Sequence, residues 1–131
     1  RSSLEELECR CDIVLVEGAG GWYAPVSDSH TMADVARALD LPVVLVAGLR
    51  LGCLNHALLT AEAIVAGGST LLGWVGNRID PQMALAEENI ATLAARLPCP
   101  LLGVVPHLGD APAEDARFDL SPFVTEAEPR P

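Results

Sequence analysis

The sequence has no lysine, few aromatic residues and no long apolar segment. Its eight basic residues are all arginine and stand against eighteen acidic ones, for a formal net charge of −10. Such a surface repels nucleic acid and anionic lipid, so we expect neither as a partner. No apolar run approaches the roughly 20 residues that a membrane-spanning helix needs. Because residues 1–8 are polar and acidic, unlike a signal peptide, we expect a soluble, cytoplasmic protein.

The scarcity of aromatic residues limits what the core can contain. Aromatics make up 4% of the 131 residues, although 50% of the chain is hydrophobic. A core of Val, Leu, Ile and Ala is typical of helices packed on parallel strands that are buried on both faces. The length is that of one domain. We predict an α/β domain over residues 1–108 and an acidic, proline-rich tail over residues 109–131, disordered over residues 125–131.

The cysteines do not form a recognisable metal site. Cys9 and Cys11 lack a second pair, or a nearby histidine, at zinc-site spacing. A nucleophilic role for Cys53 lacks a base placed for it in the sequence. We interpret these three and Cys99 as reduced, mostly buried thiols.

The hydrophobic pattern alternates between strand-like and helix-like segments. The predicted strands are Ile13–Val16, Pro42–Ala47, Leu71–Val75 and Leu101–Val105. Ser2–Cys11 is predicted to be the end of a helix, and Thr31–Leu39 is predicted to be a second one. A third helix would be capped by Asn55 and run to about Ala66, and a fourth would run from Pro81 to about Leu97. The last helix would give the core Leu85, Ile90, Leu93, Ala94 and Leu97. This alternation predicts right-handed crossovers and a parallel sheet flanked by helices.

In a parallel sheet, ligands bind in the loops at the carboxyl ends of the strands. These loops are Glu17–Gly21, Gly48–Cys53, Gly76–Arg78 and Pro106–Leu108. An acid such as Glu17 at a strand end can hold Mg²⁺ beside a triphosphate, and the glycines after it let the backbone approach oxygen ligands. The alternative is a tight turn with a solvated Glu17. The loop is not a P-loop, because it lacks the G-x-x-x-x-G-K-[ST] spacing.

The other loops carry weaker signals. The segment Gly48–Asn55 runs into a helix N-terminus, where free N–H groups and the helix dipole favour an anion and Arg50 could add a charge. His56 is more typical of a capping or packing residue than of a catalytic base. The Asn77 side chain offers a donor and an acceptor that suit adenine, although a turn asparagine is an equal alternative. His30 we interpret as a surface residue.

Four segments together resemble the dethiobiotin synthetase family: VEGAGGWYAPVSD, PVVLVAGLRLGCLNHALLT, LLGWVGNRI and PLLGVVPHL. The resemblance covers Asp12–Leu108. It implies a P-loop NTPase-like fold, a homodimer and a Mg²⁺-ATP-dependent ligase of biotin biosynthesis. In that reaction 7,8-diaminopelargonate is carboxylated with CO₂, ATP converts the carbamate to a mixed anhydride, and the second amine closes the cyclic urea of dethiobiotin.

The resemblance also implies roles for individual residues. Glu17 would be a Mg²⁺ ligand, and Gly52, Cys53, Leu54 and Asn55 would hold the substrate carboxylate across the dimer interface. The ATP-binding residues would be Glu17, Gly18, Ala19, Gly20, Asn77, Arg78, Pro106, His107 and Leu108, the last five around the adenine. Glu114 could replace an acidic contact that the family has at the position of Ala113. No catalytic residue is implied within this chain.

The family's P-loop, with its lysine and metal-binding threonine, precedes the segment VEGAGG, as do a second lysine and a metal-binding aspartate. None of these is in this sequence, which resembles the C-terminal part of the family. Without the central first strand, backbone groups would be left unpaired. We therefore expect that the chain as written is truncated, and that it neither folds stably alone nor turns over ATP.

Three other interpretations are open. A non-catalytic remnant or scaffold of a P-loop ATPase would explain the missing P-loop, but would not need a loop as specific as LGCLNHA. Amidoligases of cobalamin synthesis share a similar core but need a glutaminase domain. A receiver domain would need a lysine at its last strand, and the sequence has none.

Overall fold

The computed structural model describes Leu4, Glu6, Leu7, residues 9–109 and residues 116–123. They fall into two compact units, residues 1–41 and residues 42–131. The elements are helix α1 (Met32–Leu39), strand β1 (Val43–Gly48), helix α2 (Cys53–Ala66), strand β2 (Leu71–Asn77), helix α3 (Ala86–Arg96), strand β3 (Leu101–Val105) and a 3₁₀ turn (Ser121–Phe123). Leu4, Glu6 and Leu7 are also helical, in agreement with the helix predicted there. Within these described ranges, every helix is too short or too polar to cross a membrane.

The unit of residues 42–131 is a parallel α/β arrangement. Its described strands form one sheet in the order β1-β2-β3, and both neighbouring pairs are parallel. Helices α2 and α3 make the crossovers, and they contact each other. Trp74 of β2 and Leu93 of α3 are fully buried. The predicted parallel sheet flanked by helices is confirmed.

Helix α2 begins at Cys53 and not at the predicted cap, Asn55. Its N-cap is Gly52, whose φ of 93° is left-handed. Glycine adopts this backbone without steric cost, whereas a residue with a Cβ does not. Asn55 therefore lies in the first turn of the helix, and Gly67 ends the helix as predicted.

Helix α3 begins at Ala86 rather than near Pro81. Asp80 forms a turn instead, because its side chain and its carbonyl accept the N–H groups two and three residues further on, at 2.9 and 3.3 Å. Leu85 precedes the helix at φ 56° and is 66% exposed, so its predicted place in the core is wrong. Ala94 is exposed as well, which corrects the same prediction. The residues buried as predicted are Ile90, Leu93 and Leu97.

The unit of residues 1–41 contains α1, whose first turn is held by Asp34. The Asp34 carboxylate accepts hydrogen bonds from the Thr31 N–H at 2.7 Å and from the Thr31 hydroxyl at 2.8 Å. Its other oxygen accepts one from Arg37 at 2.7 Å. The Thr31 N–H, then its hydroxyl and Arg37, hold the pKa of Asp34 well below its usual range.

Residues Ile13–Val16 do not form the predicted strand. They have no regular secondary structure, and no strand of the described part of the chain pairs with them. Ile13 is 63% exposed, Leu15 85% and Val16 51%. A strand depends on hydrogen bonds to a neighbouring strand, and an apolar pattern without that neighbour remains unburied. The prediction of a buried strand here is therefore wrong.

A C-terminal segment lies against β3. The Asp119 N–H donates to the Leu102 carbonyl at 2.6 Å. A Cβ on Gly103 would lie 2.4 Å from the Arg117 carbonyl oxygen, so this approach requires glycine. The hydroxyl and the backbone N–H of Ser121 lower the pKa of Asp119. Glu114 and the predicted disordered segment, residues 125–131, lie outside the described residues.

Candidate functional site

The carboxyl ends of the three described strands are aligned on one rung of the sheet. Gly48 of β1 pairs with Asn77 of β2, and Asn77 pairs with Val105 of β3. Because the strands are parallel, the loops that leave them begin at the same edge. The loops predicted to bind ligand after β1, β2 and β3 therefore emerge side by side.

The loops after β2 and β3 form a surface concavity of about 250 Å³, termed the strand-end concavity. Its lining residues are Asn77, Arg78, Ile79, Pro106, His107, Leu108 and Gly109. The residues predicted around the adenine, which are Asn77, Arg78 and the segment 106–108, are all among them. The structure thus brings together residues that are far apart in the sequence.

Backbone hydrogen bonds fix Asn77 at this edge. Its carbonyl accepts from the Leu49 N–H at 2.7 Å and from the Ile79 N–H at 2.9 Å. The next N–H, that of Arg78, donates to the Val105 carbonyl at 3.0 Å. The Asn77 side chain has no hydrogen-bond partner within the described ranges, so its amide donor and acceptor are both available.

The Arg78 side chain is already engaged. Its guanidinium pairs with Glu87, in the first turn of α3, and the two side chains are 31% and 76% exposed. A pair this exposed stabilises the fold by at most about 1 kcal/mol. With its charge paired, Arg78 offers the concavity mainly its backbone.

His107 joins the two loops through its ring. Its Nδ1 lies 3.1 Å from the Arg78 carbonyl oxygen. The ring is exposed and lines the strand-end concavity. His107 therefore connects the loop after β3 to the loop after β2.

A second concavity of about 280 Å³, termed the helix-start concavity, lies between β1 and α2. Its lining residues are Leu45, Val46, Ala47, Gly48, Arg50, Cys53, His56, Ala57, Thr60 and Ile79. Ile79 lines both concavities, so they are neighbours at the strand ends. Of the residues predicted to hold a carboxylate, Cys53 lines this concavity, whereas Gly52, Leu54 and Asn55 do not.

The start of α2 is favourable for an anion. Its first turn contains no acidic residue, and the N–H groups of a first turn have no partner within the helix. Arg50, just before the helix, is exposed. Cys53 is only 3% exposed, and its thiol points to the Asn89 side-chain oxygen at 3.9 Å. This burial agrees with a packed thiol and not with a nucleophile.

The remaining thiols divide by unit. Cys99 is buried, and burial raises the pKa of its thiol. Cys9 and Cys11 are exposed, so the expectation of mostly buried thiols holds only for Cys53 and Cys99.

The Glu17 loop belongs to the unit of residues 1–41. Glu17 is exposed, and no group of three or more His, Cys, Asp or Glu side chains within the described ranges could hold a metal. A Cβ on Gly18 would lie 2.8 Å from Met32 Cε, while Gly20 and Gly21 have φ values of 85° and 104°. These steric demands account for the glycines, which therefore do not by themselves indicate a phosphate. A single exposed carboxylate still fits Mg²⁺, because this ion keeps several waters and is commonly shared with substrate phosphates.

Sequence reasoning missed Ile79, Gly109 and Glu87. Ile79 follows the polar pair at the end of β2, and a Cβ on Gly48 would lie 2.8 Å from its Cδ1. An apolar residue directly after Asn-Arg at a strand end was the available signal. For Glu87 the signal was an acid in the first turn of a helix, where the helix dipole favours it.

Known proteins resemble this chain over most of its length. A family model described as an AAA domain matches residues 2–115. The chain is 55% identical over 117 residues to the ATP-dependent dethiobiotin synthetase of Aromatoleum aromaticum, covering 88% of this chain and 52% of the relative. It is 57% identical over 121 residues to that of Pseudomonas paraeruginosa, covering 91% and 53%. The synthetase of Cellvibrio japonicus is 55% identical over 126 residues, covering 95% and 54%. The chain thus spans about half the length of the curated relatives it matches.

Proposed function

Because the chain belongs to the AAA domain family and, within it, to the dethiobiotin synthetases, we propose that it provides the adenine-binding and carboxylate-binding parts of a ligase of biotin biosynthesis. One amine of 7,8-diaminopelargonate would attack CO₂ to give a carbamate. The carbamate oxygen would then take the γ-phosphoryl group of ATP and release ADP. Attack of the second amine on the carbonyl carbon would expel phosphate and close the cyclic urea of dethiobiotin.

Such phosphoryl transfer is accelerated mainly by positioning and by charge neutralisation. The chain's own contribution is positioning. We assign the base of ATP to the strand-end concavity and the carboxylate of 7,8-diaminopelargonate to the start of α2. We assign no catalytic residue to this chain, which has no lysine to neutralise the transferred phosphoryl group.

One observation carries the adenine assignment: Asn77, Arg78, Pro106, His107 and Leu108 line a single concavity. Its volume of about 250 Å³ is below the roughly 300–1,000 Å³ of pockets that enclose a whole small molecule. This size suits a base better than an entire nucleotide. The free amide of Asn77 and the apolar side chains of Pro106 and Leu108 match the edge and the faces of such a base.

The carboxylate assignment rests on the electrostatics of α2. Gly52, Cys53, Leu54 and Asn55 form the start of a helix with no acid in its first turn. The Cys53 N–H donates to the Arg50 carbonyl at 3.0 Å, whereas the N–H groups of Leu54 and Asn55 have no backbone partner among the described residues. These two N–H groups and the helix dipole attract a carboxylate there. We further propose a homodimer, in which this helix start serves the substrate of the partner chain.

Glu17 would be the carboxylate that this chain gives to Mg²⁺, with Gly18, Ala19 and Gly20 beside the triphosphate. When bound, Mg²⁺ would neutralise negative charge on the β- and γ-phosphates. We further propose a cytoplasmic enzyme whose partners are ATP, CO₂ and 7,8-diaminopelargonate. The formal net charge of −10 supports the absence of nucleic acid and anionic membrane among its partners.

A hybrid enzyme tests this function. The upstream half of the Aromatoleum aromaticum synthetase is joined to the start of this chain, and dethiobiotin formed from 7,8-diaminopelargonate, CO₂ and Mg²⁺-ATP is measured by mass spectrometry. We expect the hybrid to form dethiobiotin and this chain alone not to form it. Asn77→Ala should raise KM for ATP about tenfold with little change in kcat, because it removes binding common to the ground and transition states.

Gln82→Ala serves as the matched amide control, since Gln82 lies in an exposed turn outside both concavities. Its KM for ATP should stay at the wild-type value. A hybrid that is folded by circular dichroism and binds ATP, yet forms no dethiobiotin, would favour a scaffold without chemistry. A folded hybrid that binds no adenine nucleotide would refute the assignment of the strand-end concavity.

A further inference from the structure

His107 stands where the identity of a bound base can be read. Its Nδ1 is 3.1 Å from the Arg78 carbonyl oxygen, and its ring lines the strand-end concavity. The second ring nitrogen, Nε2, has no partner among the residues that the structure describes. Nδ1 thus holds the loop, and Nε2 is available to a ligand.

The contact with Arg78 determines which nitrogen carries the hydrogen. A carbonyl oxygen can only accept, so Nδ1 must donate. A neutral imidazole has one N–H group, and Nε2 is then left with a lone pair. In this tautomer His107 presents an acceptor, and not a donor, to whatever occupies the concavity.

No other side chain that lines the concavity supplies a fixed hydrogen-bond donor in place of this acceptor. Only Asn77, Arg78 and His107 have polar side chains among the residues that line the concavity. The Arg78 guanidinium is paired with Glu87, so it is not a free donor to an oxygen on the ligand. The Asn77 amide can turn to present either its donor or its acceptor. The choice between ligands therefore depends on His107.

We propose that the Arg78 carbonyl fixes His107 as the Nδ1–H tautomer. The Nε2 atom of His107 then makes the strand-end concavity bind bases with an exocyclic amino group more tightly than bases with an oxo group at the same ring position. This inference rests on the proposed function, because it requires a nucleotide base in the strand-end concavity. An amino group has two hydrogens, which can serve the Asn77 side-chain oxygen and His107 Nε2 together. An oxo group would place its lone pairs against that of Nε2, with no hydrogen between them. Adenine and cytosine are then accepted, and hypoxanthine and uracil are rejected.

Two matched pairs of nucleotides test the selection by calorimetry on the folded hybrid enzyme described above, in which the unsubstituted form of this chain is the wild type. ADP and IDP differ only in an amino or an oxo group at position 6, and CDP and UDP differ likewise at position 4. An acceptor left unpaired in the wrong complex disfavours it. We expect the wild-type chain to bind the amino member of each pair about tenfold more tightly, which corresponds to about 1.4 kcal/mol.

The substitution His107→Asn tests the roles of the two ring nitrogens separately. The asparagine amide can still donate to the Arg78 carbonyl, but it has no atom in place of Nε2. We expect the preference for ADP over IDP to fall to about twofold or less. His107→Gln is a second variant, whose amide can turn either way and should lose the preference as well. His30→Asn, in the other unit, is the matched control and should retain the wild-type preference.

The tautomer itself is measured without a nucleotide. Long-range ¹H–¹⁵N spectra of the three histidines should show the His107 ring protonated at Nδ1 and unprotonated at Nε2. The opposite tautomer would overturn the inference. Binding of ADP with an unchanged ADP-to-IDP ratio in His107→Asn would overturn the selection alone, leaving the proposed function intact. Failure of all four nucleotides to bind the folded wild-type hybrid would refute the proposed function, and the selection with it.

Discussion

The two units of this chain differ in how they support the loops that we propose to bind ligand. In residues 42–131, the loops after β2 and β3 leave a sheet edge on which Gly48, Asn77 and Val105 are paired in register. In residues 1–41, the Glu17 loop follows Ile13–Val16, which is exposed and pairs with no described strand. The Glu17 loop carries the stronger sequence motif, but only the loops after β2 and β3 have a scaffold within the described residues.

This contrast shows how a sequence motif and a binding site differ. Functional groups need a geometry held by packing and by supporting hydrogen bonds. Asn77 has that support, since its carbonyl accepts two backbone N–H groups and its neighbour Arg78 is tied to β3. Glu17 has no hydrogen bond to any described residue. Its proposed role depends on groups that the described residues do not supply.

The largest expected effect compares one leucine from each unit. Leu93 of α3 is fully buried, whereas Leu15 is 85% exposed. Leu93→Ala should lower the free energy of unfolding by about 2–5 kcal/mol, because it removes buried methyl groups and leaves a cavity. Leu15→Ala should change it by no more than about 0.5 kcal/mol. Urea denaturation followed by circular dichroism measures both.

The contrast between the two units is contradicted if the two substitutions lower the free energy of unfolding by similar amounts. A large loss for Leu15→Ala would mean that Ile13–Val16 is buried in solution, as the sequence predicts for a strand. Both changes remove the same side-chain atoms, and the helix propensities of leucine and alanine differ by less than about 0.7 kcal/mol, so neither side-chain size nor helix propensity can account for a difference of several kcal/mol.

An intermediate effect is expected at the wall shared by the two concavities. A Cβ on Gly48 would lie 2.8 Å from Cδ1 of Ile79, so Gly48→Ala must displace that side chain. We expect a loss of about 1–2 kcal/mol in the free energy of unfolding. Adding Ile79→Val removes the clashing methyl group and should restore most of the loss. A double variant as unstable as Gly48→Ala would show that the strain lies elsewhere.

Much of the fold could be predicted from the sequence because its signals are local. Short apolar runs predicted β1, β2 and β3, and the helical pattern that stops at the glycines after Ala66 predicted the end of α2. The strand at Ile13–Val16 was predicted by the same pattern and is absent. An apolar run indicates that a strand can form. Whether it forms depends on a pairing strand that is distant in the sequence, which the local pattern cannot reveal.

The candidate site divides in the same way. Parallel topology predicted that the loops at Asn77 and His107 leave the same edge of the sheet, and the family resemblance implied that both border one base. The hydrogen bond from His107 to the Arg78 carbonyl and the pairing of Arg78 with Glu87 could not be predicted. Both depend on side-chain rotamers, and the pair with Glu87 also depends on the start of α3 at Ala86, later than the proline at position 81 suggests.

The smallest expected effect concerns one acid from each unit. Asp34 and Asp119 both have a pKa lowered by hydrogen bonds, Asp34 by Thr31 and Arg37, Asp119 by Ser121. A carboxyl with a lower pKa in the folded state stabilises the fold above its unfolded pKa, and that stabilisation is lost as the pH falls through the folded value. Asp34→Asn should therefore be less stable than the wild type at neutral pH, and the difference should shrink in acid.

Asp119→Asn should follow the same direction with a smaller difference, because fewer donors reach that carboxylate. Both effects are measured by urea denaturation between neutral pH and about pH 2. A difference that grows towards acid would mean that these carboxylates are not held by their donors in solution. Asp34→Asn could instead be as stable as the wild type at every pH while Asp119→Asn is less stable at neutral pH. The first turn of α1 would then be unformed in solution, and the weakly supported part of residues 1–41 would extend beyond the Glu17 loop.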